Sequence, residues 1–199
     1  MKARGRLDRE AGEFWVENPF MMPSRGHNLS AFERNCLFLN VEGRRFLDAS
    51  FAARSDIDSD SRSVIVADFD GDYKPDVLVG SVGGGPLRLF RNQFPQSGHR
   101  IRLNLVGRES NRSAIGARVI LKPGNERTIV RDLFAANGFM GQSPPELLIG
   151  VGTAQSVQQM IVRWPNGNEQ QFNDVPVDSV ITIEEGEDKF RSRPMEHNN

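Results

Sequence analysis

From Asp68 the chain reads Asp68-Phe69-Asp70-Gly71-Asp72-Tyr73-Lys74-Pro75-Asp76, with carboxylates at positions 1, 3, 5 and 9 of a tight loop. Apolar runs flank it, Val64-Ile65-Val66 before and Val77-Leu78-Val79 after. Alternate spacing turns three of the side chains inward, and a hard cation answers their repulsion. Calcium takes about six to eight oxygens, so Asp68, Asp70, Asp72 and Asp76, the backbone carbonyl of Lys74 and water would complete a shell. Magnesium demands a stricter octahedron and keeps more of its water. Zinc or iron would need His or Cys, and neither stands nearby. The alternative is an acidic Asx-type turn that binds nothing. Calcium loops of this type put Gly at position 6 for the sharp turn, where this chain has Tyr73. Tyr73 is therefore expected in the left-handed region under strain, at a cost to affinity.

Other groupings point away from catalysis. A nucleophilic enzyme needs a base beside its Ser or Cys, yet His27 lies in the N-terminal stretch, His99 at a junction between regions and His197 in the tail. Neither a G-x-S-x-G elbow nor H-E-x-x-H occurs. Gly83-Gly84-Gly85-Pro86 lacks the G-K-[ST] of a phosphate cradle and reads as a turn. Asp56, Asp58 and Asp60 repeat the acidic alternation without a strand after them, so a solvated turn is expected there.

The elements that must position the loop are strands. From Leu37 onward short apolar or alternating runs are separated by Gly, Pro, Asn and Asp, the grammar of β-structure, and no long amphipathic helix is indicated. Strands are expected at residues 36–41, 45–48, 63–67, 77–80, 87–91, 101–106, 117–122, 127–133, 147–150, 159–164, 169–172 and 179–184. Leu37-Phe38-Leu39-Asn40 recurs as Leu89-Phe90-Arg91-Asn92, 52 positions on. Such periods are typical of propeller blades, although one and a half blades are fewer than a repeat array needs. After the second copy the pattern breaks, which puts a domain boundary near residue 97.

The chain has 199 residues, a formal charge of -1 and a pI near 6.3, enough length for a hydrophobic core and no basic stripe for nucleic acid. Its one cysteine, Cys36, permits no intrachain disulfide and reads as a strand residue beside Leu37. No apolar run is long enough to span a membrane, and the first 30 residues lack the apolar stretch of a secretory signal.

These residues carry two likenesses. Ala67-Asp68-Phe69-Asp70-Gly71-Asp72 with Pro75-Asp76-Val77-Leu78-Val79 resembles the calcium loop of FG-GAP/VCBS repeats, the blades of integrin-like β-propellers. Residues 35–40 with Gly43 and Phe46 resemble the end of the preceding blade. The second half is similar to the ASPIC/UnbV domain, which commonly follows such repeats. That likeness rests on Gly107 with Ser110-Asn111-Arg112, on Ile115-Gly116-Ala117-Arg118-Val119, and on Gly138-Phe139 with Gln142-Ser143. Gly150-Val151-Gly152 and Val162-Arg163-Trp164-Pro165-Asn166-Gly167 follow in the family's order. Relatives include cartilage acidic protein-like secreted proteins and a protein encoded among enediyne biosynthesis genes. The resemblance implies calcium binding and extracellular recognition more than any reaction. A truncated or split reading frame would account for the few blades and the absent signal.

Within the second half, Asn166-Gly167 marks a hairpin, with Met160, Val162 and Trp164 on one face and Ile161 and Arg163 on the other. Trp164 reads as core filler, with a ligand platform as the alternative. Loops concentrate binding residues, so Asn111, Arg112, Phe139 and Gln142 are the candidate partner contacts, with Arg118 a further cation for an anionic or sugar partner. The expected fold is all-β, with one or more partial propeller blades and then an antiparallel β-sandwich-like domain. Its parts are an extended lead-in at 1–34, a blade region with the calcium loop at 35–97, an ASPIC/UnbV-like domain at 98–186 and a disordered tail at 187–199. The expected function is a calcium-stabilised, non-catalytic module that binds a protein or glycan. The alternatives are an accessory protein of natural-product biosynthesis and a fragment that completes a propeller with another chain.

Overall fold

Short runs of Val, Ile, Leu and Phe bounded by turn formers favour a half-buried pleat over a helix. A computed structural model describes residues 34–57, 61–81, 86–95, 98–124, 127–134, 136 and 141–196. Its elements are β1 Phe38–Val41, β2 Arg45–Asp48, β3 Ser61–Ala67, β4 Asp76–Ser81, β5 Arg88–Phe90, β6 His99–Val106, β7 Arg118–Lys122, β8 Ile129–Asp132, β9 Glu146–Gly152, β10 Ser156–Arg163, β11 Glu169–Pro176, β12 Ser179–Glu184 and β13 Arg191–Pro194. The fold is all-β, without a helix among the described residues.

The strands form four sheets, ordered β1-β2, β3-β4-β5, β11-β10-β7-β8 and β13-β12-β6-β9. The chain divides into two units, residues 1–63 with 78–90, and residues 64–77 with 91–199. This division differs from a boundary near residue 97, because the carboxylate loop belongs to the second unit. In the first unit β1 and β2 pair antiparallel around a turn at Glu42 and Gly43, both at positive φ, with Gly43 N–H donating to Asn40 Oδ1 at 2.7 Å. The two- and three-stranded sheets at residues 38–90 do not show a four-stranded propeller blade. Cys36 is exposed and precedes β1 instead of lying in it.

In the second unit the two four-stranded sheets share one core. Ile101, Leu103 and Leu105 of β6, Val119 and Leu121 of β7, Met160 and Val162 of β10, and Ile181 and Ile183 of β12 all belong to it. Full burial of such side chains contributes about 1.5–3 kcal/mol each. Trp164 joins the same cluster, as core filler. The hairpin at Asn166-Gly167 closes with Trp164 N–H donating to the Asn168 carbonyl at 2.8 Å, and Gly167 takes φ +93°.

Two features of the second unit also depart from expectation. β12 runs parallel to β6, from Ser179 opposite Ile101 to Glu184 opposite Val106, so the domain is not wholly antiparallel. A parallel return needs a long crossover, and β7 to β11 supply it. Second, within the stretch 187–199 expected as a disordered tail, residues 191–194 form an edge strand, because β13 pairs with β12 and Met195 is buried beside Tyr73 and Val180. Its sequence, Arg-Ser-Arg-Pro, carries no apolar signal, and the charged side chains suit an edge. The lead-in up to residue 33, Asp58, Asp60, Gly83 to Gly85, Phe139, His27 and His197 lie outside the described residues.

Candidate metal centre

The loop between β3 and β4 is held by its own carboxylates. Asp68 Oδ1 accepts from the Gly71 and Asp72 N–H groups at 2.8 and 3.1 Å, and Oδ2 accepts from Tyr73 N–H at 3.0 Å. Asp76 Oδ2 accepts from Phe69 N–H at 3.0 Å, and its Oδ1 from Asn92 N–H at 2.7 Å. Such Asx-type bonds fold the chain sharply without a glycine at each bend. Tyr73 takes φ +61°, the left-handed conformation expected from its place at position 6. Burial of its ring, under the Arg102 guanidinium at 5.9 Å, compensates the unfavourable backbone.

Asp68, Asp70 and Asp76 each bring one oxygen into a group within 4.8 Å, a carboxylate cluster that could hold a metal ion. Asp76 is buried and the Asp68 side chain has no exposed surface. The donor set is all carboxylate oxygen, the hard type of ligand. Asp72 is not in this group. It turns to Lys74, with Nζ at 2.9 Å and the Lys74 N–H donating at 2.8 Å. Burial works to raise the Asp72 pKa, and the Lys74 hydrogen bonds with the charges of Lys74 and Arg100 outweigh it and hold it below the usual value.

Cations missed by sequence reasoning surround the loop. Arg91 Nε donates to Asp70 Oδ2 at 2.7 Å and its Nη2 meets the same oxygen, so an ion there must compete with Arg91. Arg102 clasps Glu146 through Nε and Nη2 at 2.8 Å each, while its Nη1 lies 3.5 Å from Asp68 Oδ2. Arg100 Nη1 donates to the Tyr73 carbonyl at 3.1 Å. The alternation of β6 accounts for these: Ile101 and Leu103 face the core, so Arg100 and Arg102 face the loop. That pattern, and the repeat that ends in Arg91-Asn92, were the signals available in the sequence.

The candidate partner contacts divide. Asn111 spends its amide on its own loop, donating to the Ile115 carbonyl at 2.8 Å and accepting from Ile115 N–H at 2.9 Å. Arg118 is committed to Asp132 through Nε and Nη2. Arg112 and Gln142 are exposed. The loop just before Arg112 is anchored by Glu185, a buried carboxylate that sequence reasoning did not single out. Its Oε2 accepts from the N–H groups of Arg108, Glu109 and Ser110 at 2.7, 2.9 and 2.7 Å, and Oε1 from Ser110 Oγ and Asn166 Nδ2. Gly107 fits only without a side chain, since a Cβ would meet the Asn111 carbonyl oxygen at 2.2 Å. His99 Nδ1 lies 2.6 Å from Asp178 Oδ2, and its Nε2 meets the Gln155 amide at 3.1 Å.

Residues 107–190 match the family model described as ASPIC and UnbV, and this stretch carries that domain. A search of curated proteins finds no match.

Proposed function

We propose that this chain, with its ASPIC and UnbV domain at residues 107–190, is a calcium-stabilised binding module that engages a protein or glycan through the loops of that domain. The convergence of Asp68, Asp70 and Asp76 oxygens carries the reading. Calcium suits the site better than magnesium because the ligands come from a bent loop with mixed backbone and carboxylate bonds, and calcium tolerates irregular coordination. Exposed Arg112 and Gln142 support the assignment of recognition to the domain's loops.

A titration with Ca²⁺ tests the metal. An ion at about 100 times its Kd stabilises the folded state by about 2.7 kcal/mol, which a thermal scan detects. Asp76→Asn and Asp68→Ala are expected to abolish the shift, and Arg91→Gln to strengthen binding by removal of the competitor for Asp70. An unchanged melting temperature across millimolar calcium would sink the assignment.

A second reading takes residues 35–97 as an FG-GAP/VCBS-type remnant that completes a propeller with another chain. Phe38, Phe46, Leu47 and Phe51 favour it, because all four are more than half exposed on or beside the β1-β2 ribbon. A two-stranded ribbon is marginal by itself.

A further inference from the structure

Three arginines of the second unit turn the same guanidinium edge, Nε and Nη2, on a carboxylate. Arg102 clasps Glu146, Arg118 clasps Asp132, and Arg91 meets Asp70. Arg100 differs. Its Nη1 donates to the Tyr73 carbonyl, while its Nε and Nη2 are buried and have no hydrogen-bond partner among the described residues. The nearby acids are engaged elsewhere, Asp72 with Lys74 and Asp178 with His99. A guanidinium taken from water with that edge unmet is costly, and a bidentate anion is the group that relieves it.

Arg100 also lines an open cavity of about 270 Å³. Pro75, Phe94, Pro95, Leu148 and Ile149 give it apolar walls, Lys74 and His99 add nitrogen groups, and no Asp or Glu lines it among the described residues. We propose that this cavity binds a small organic carboxylate, clamped on Nε and Nη2 of Arg100 with its hydrocarbon body against Phe94 and Leu148. The edge is shielded from water in the present arrangement, so docking entails a turn of the side chain into the cavity it lines. Side-chain rotations of this kind commonly accompany binding. Phosphate also suits an arginine fork, but the apolar walls favour a carboxylate that carries carbon.

The test is a titration of the full chain, with calcium chelated, by benzoate, acetate and inorganic phosphate, read at the arginine Nε–H signals. Benzoate is expected to shift the Arg100 signal saturably with a Kd on the order of 1 mM. Acetate and phosphate are expected to bind more weakly. Arg100→Gln should lose at least about tenfold in benzoate affinity, and Arg100→Lys should not restore it, because an ammonium lacks the fork. Phe94→Ala should weaken benzoate and leave acetate unchanged, which keeps the test open if Arg100 variants do not fold. No saturable shift with benzoate, equal binding by Arg100→Gln, or phosphate bound more tightly than benzoate would each overturn the proposal.

Discussion

Glu185 binds three successive backbone N–H groups, and that arrangement makes it a pH-sensitive anchor. Burial works to raise its pKa, but the N–H groups of Ser110 and Arg108, the Ser110 hydroxyl and Glu109 N–H outweigh burial and lower it below 4.5. A group with a depressed folded pKa stabilises the fold above its unfolded pKa, and that contribution is lost as pH falls through the folded value. Stability is thus expected to be level above about pH 5.5 and to fall below pH 4.5, the unfolded reference. Glu185→Gln should cost roughly 2–4 kcal/mol at pH 7, since it removes charge-assisted bonds and sets an amide donor against backbone donors. The gap to the parent should narrow in acid, where the parent's carboxylate is protonated too. Denaturant unfolding at pH 7 and pH 3.5 checks both; a gap that stays constant refutes the anchoring role of the charge.

At the scale of elements, β6 links core and site. One of its faces carries Ile101, Leu103 and Leu105 into the core, and the other presents Arg100 and Arg102 to the carboxylate loop. β13 acts on the same loop indirectly, through Met195 against Tyr73 and Val180. Removal of residues 191–199 leaves Phe190, which meets Phe172 edge-on at 5.9 Å, but uncovers the β12 edge and the Tyr73 ring. The shortened chain is expected to lose about 2–3 kcal/mol, comparable to truncation of a buried methionine with the ladder it belongs to. If the calcium reading holds, affinity should fall as well, because Tyr73 at φ +61° depends on burial of its ring. An unfolding midpoint equal to that of the parent would show that β13 contributes nothing to stability.

At the scale of the whole molecule, the exposed apolar residues of the first unit raise the question of self-association. Phe46, on the β1-β2 ribbon, and Phe51, just after it, are 69% and 86% exposed, and hydrophobic groups of that size favour pairing with another surface. Under the propeller-completion reading the full chain should run above its 22.3 kDa monomer mass in light scattering. Phe46→Glu with Leu47→Glu should then return it to a monomer. A monomer that persists at high concentration counts against that reading.

Strand chemistry was local and therefore legible: β2 and β12 fall on the expected residues, and the Asn166-Gly167 hairpin follows from turn chemistry alone. The spacing of the Asp68 to Asp76 carboxylates likewise marked the loop, because alternate residues share a face whatever surrounds them. Which carboxylates converge was not local. Asp72 meets Lys74 two residues on, while Asp76 joins Asp68 and Asp70 through bonds to Phe69 and Asn92. Arg91, Arg100 and Arg102 reach the loop across gaps that no spacing rule encodes, and Glu185 gathers a loop far upstream in sequence. Turn propensity and alternation are properties of neighbouring residues, whereas hydrogen bonds and buried charges are satisfied by whatever the packed sheets bring within reach.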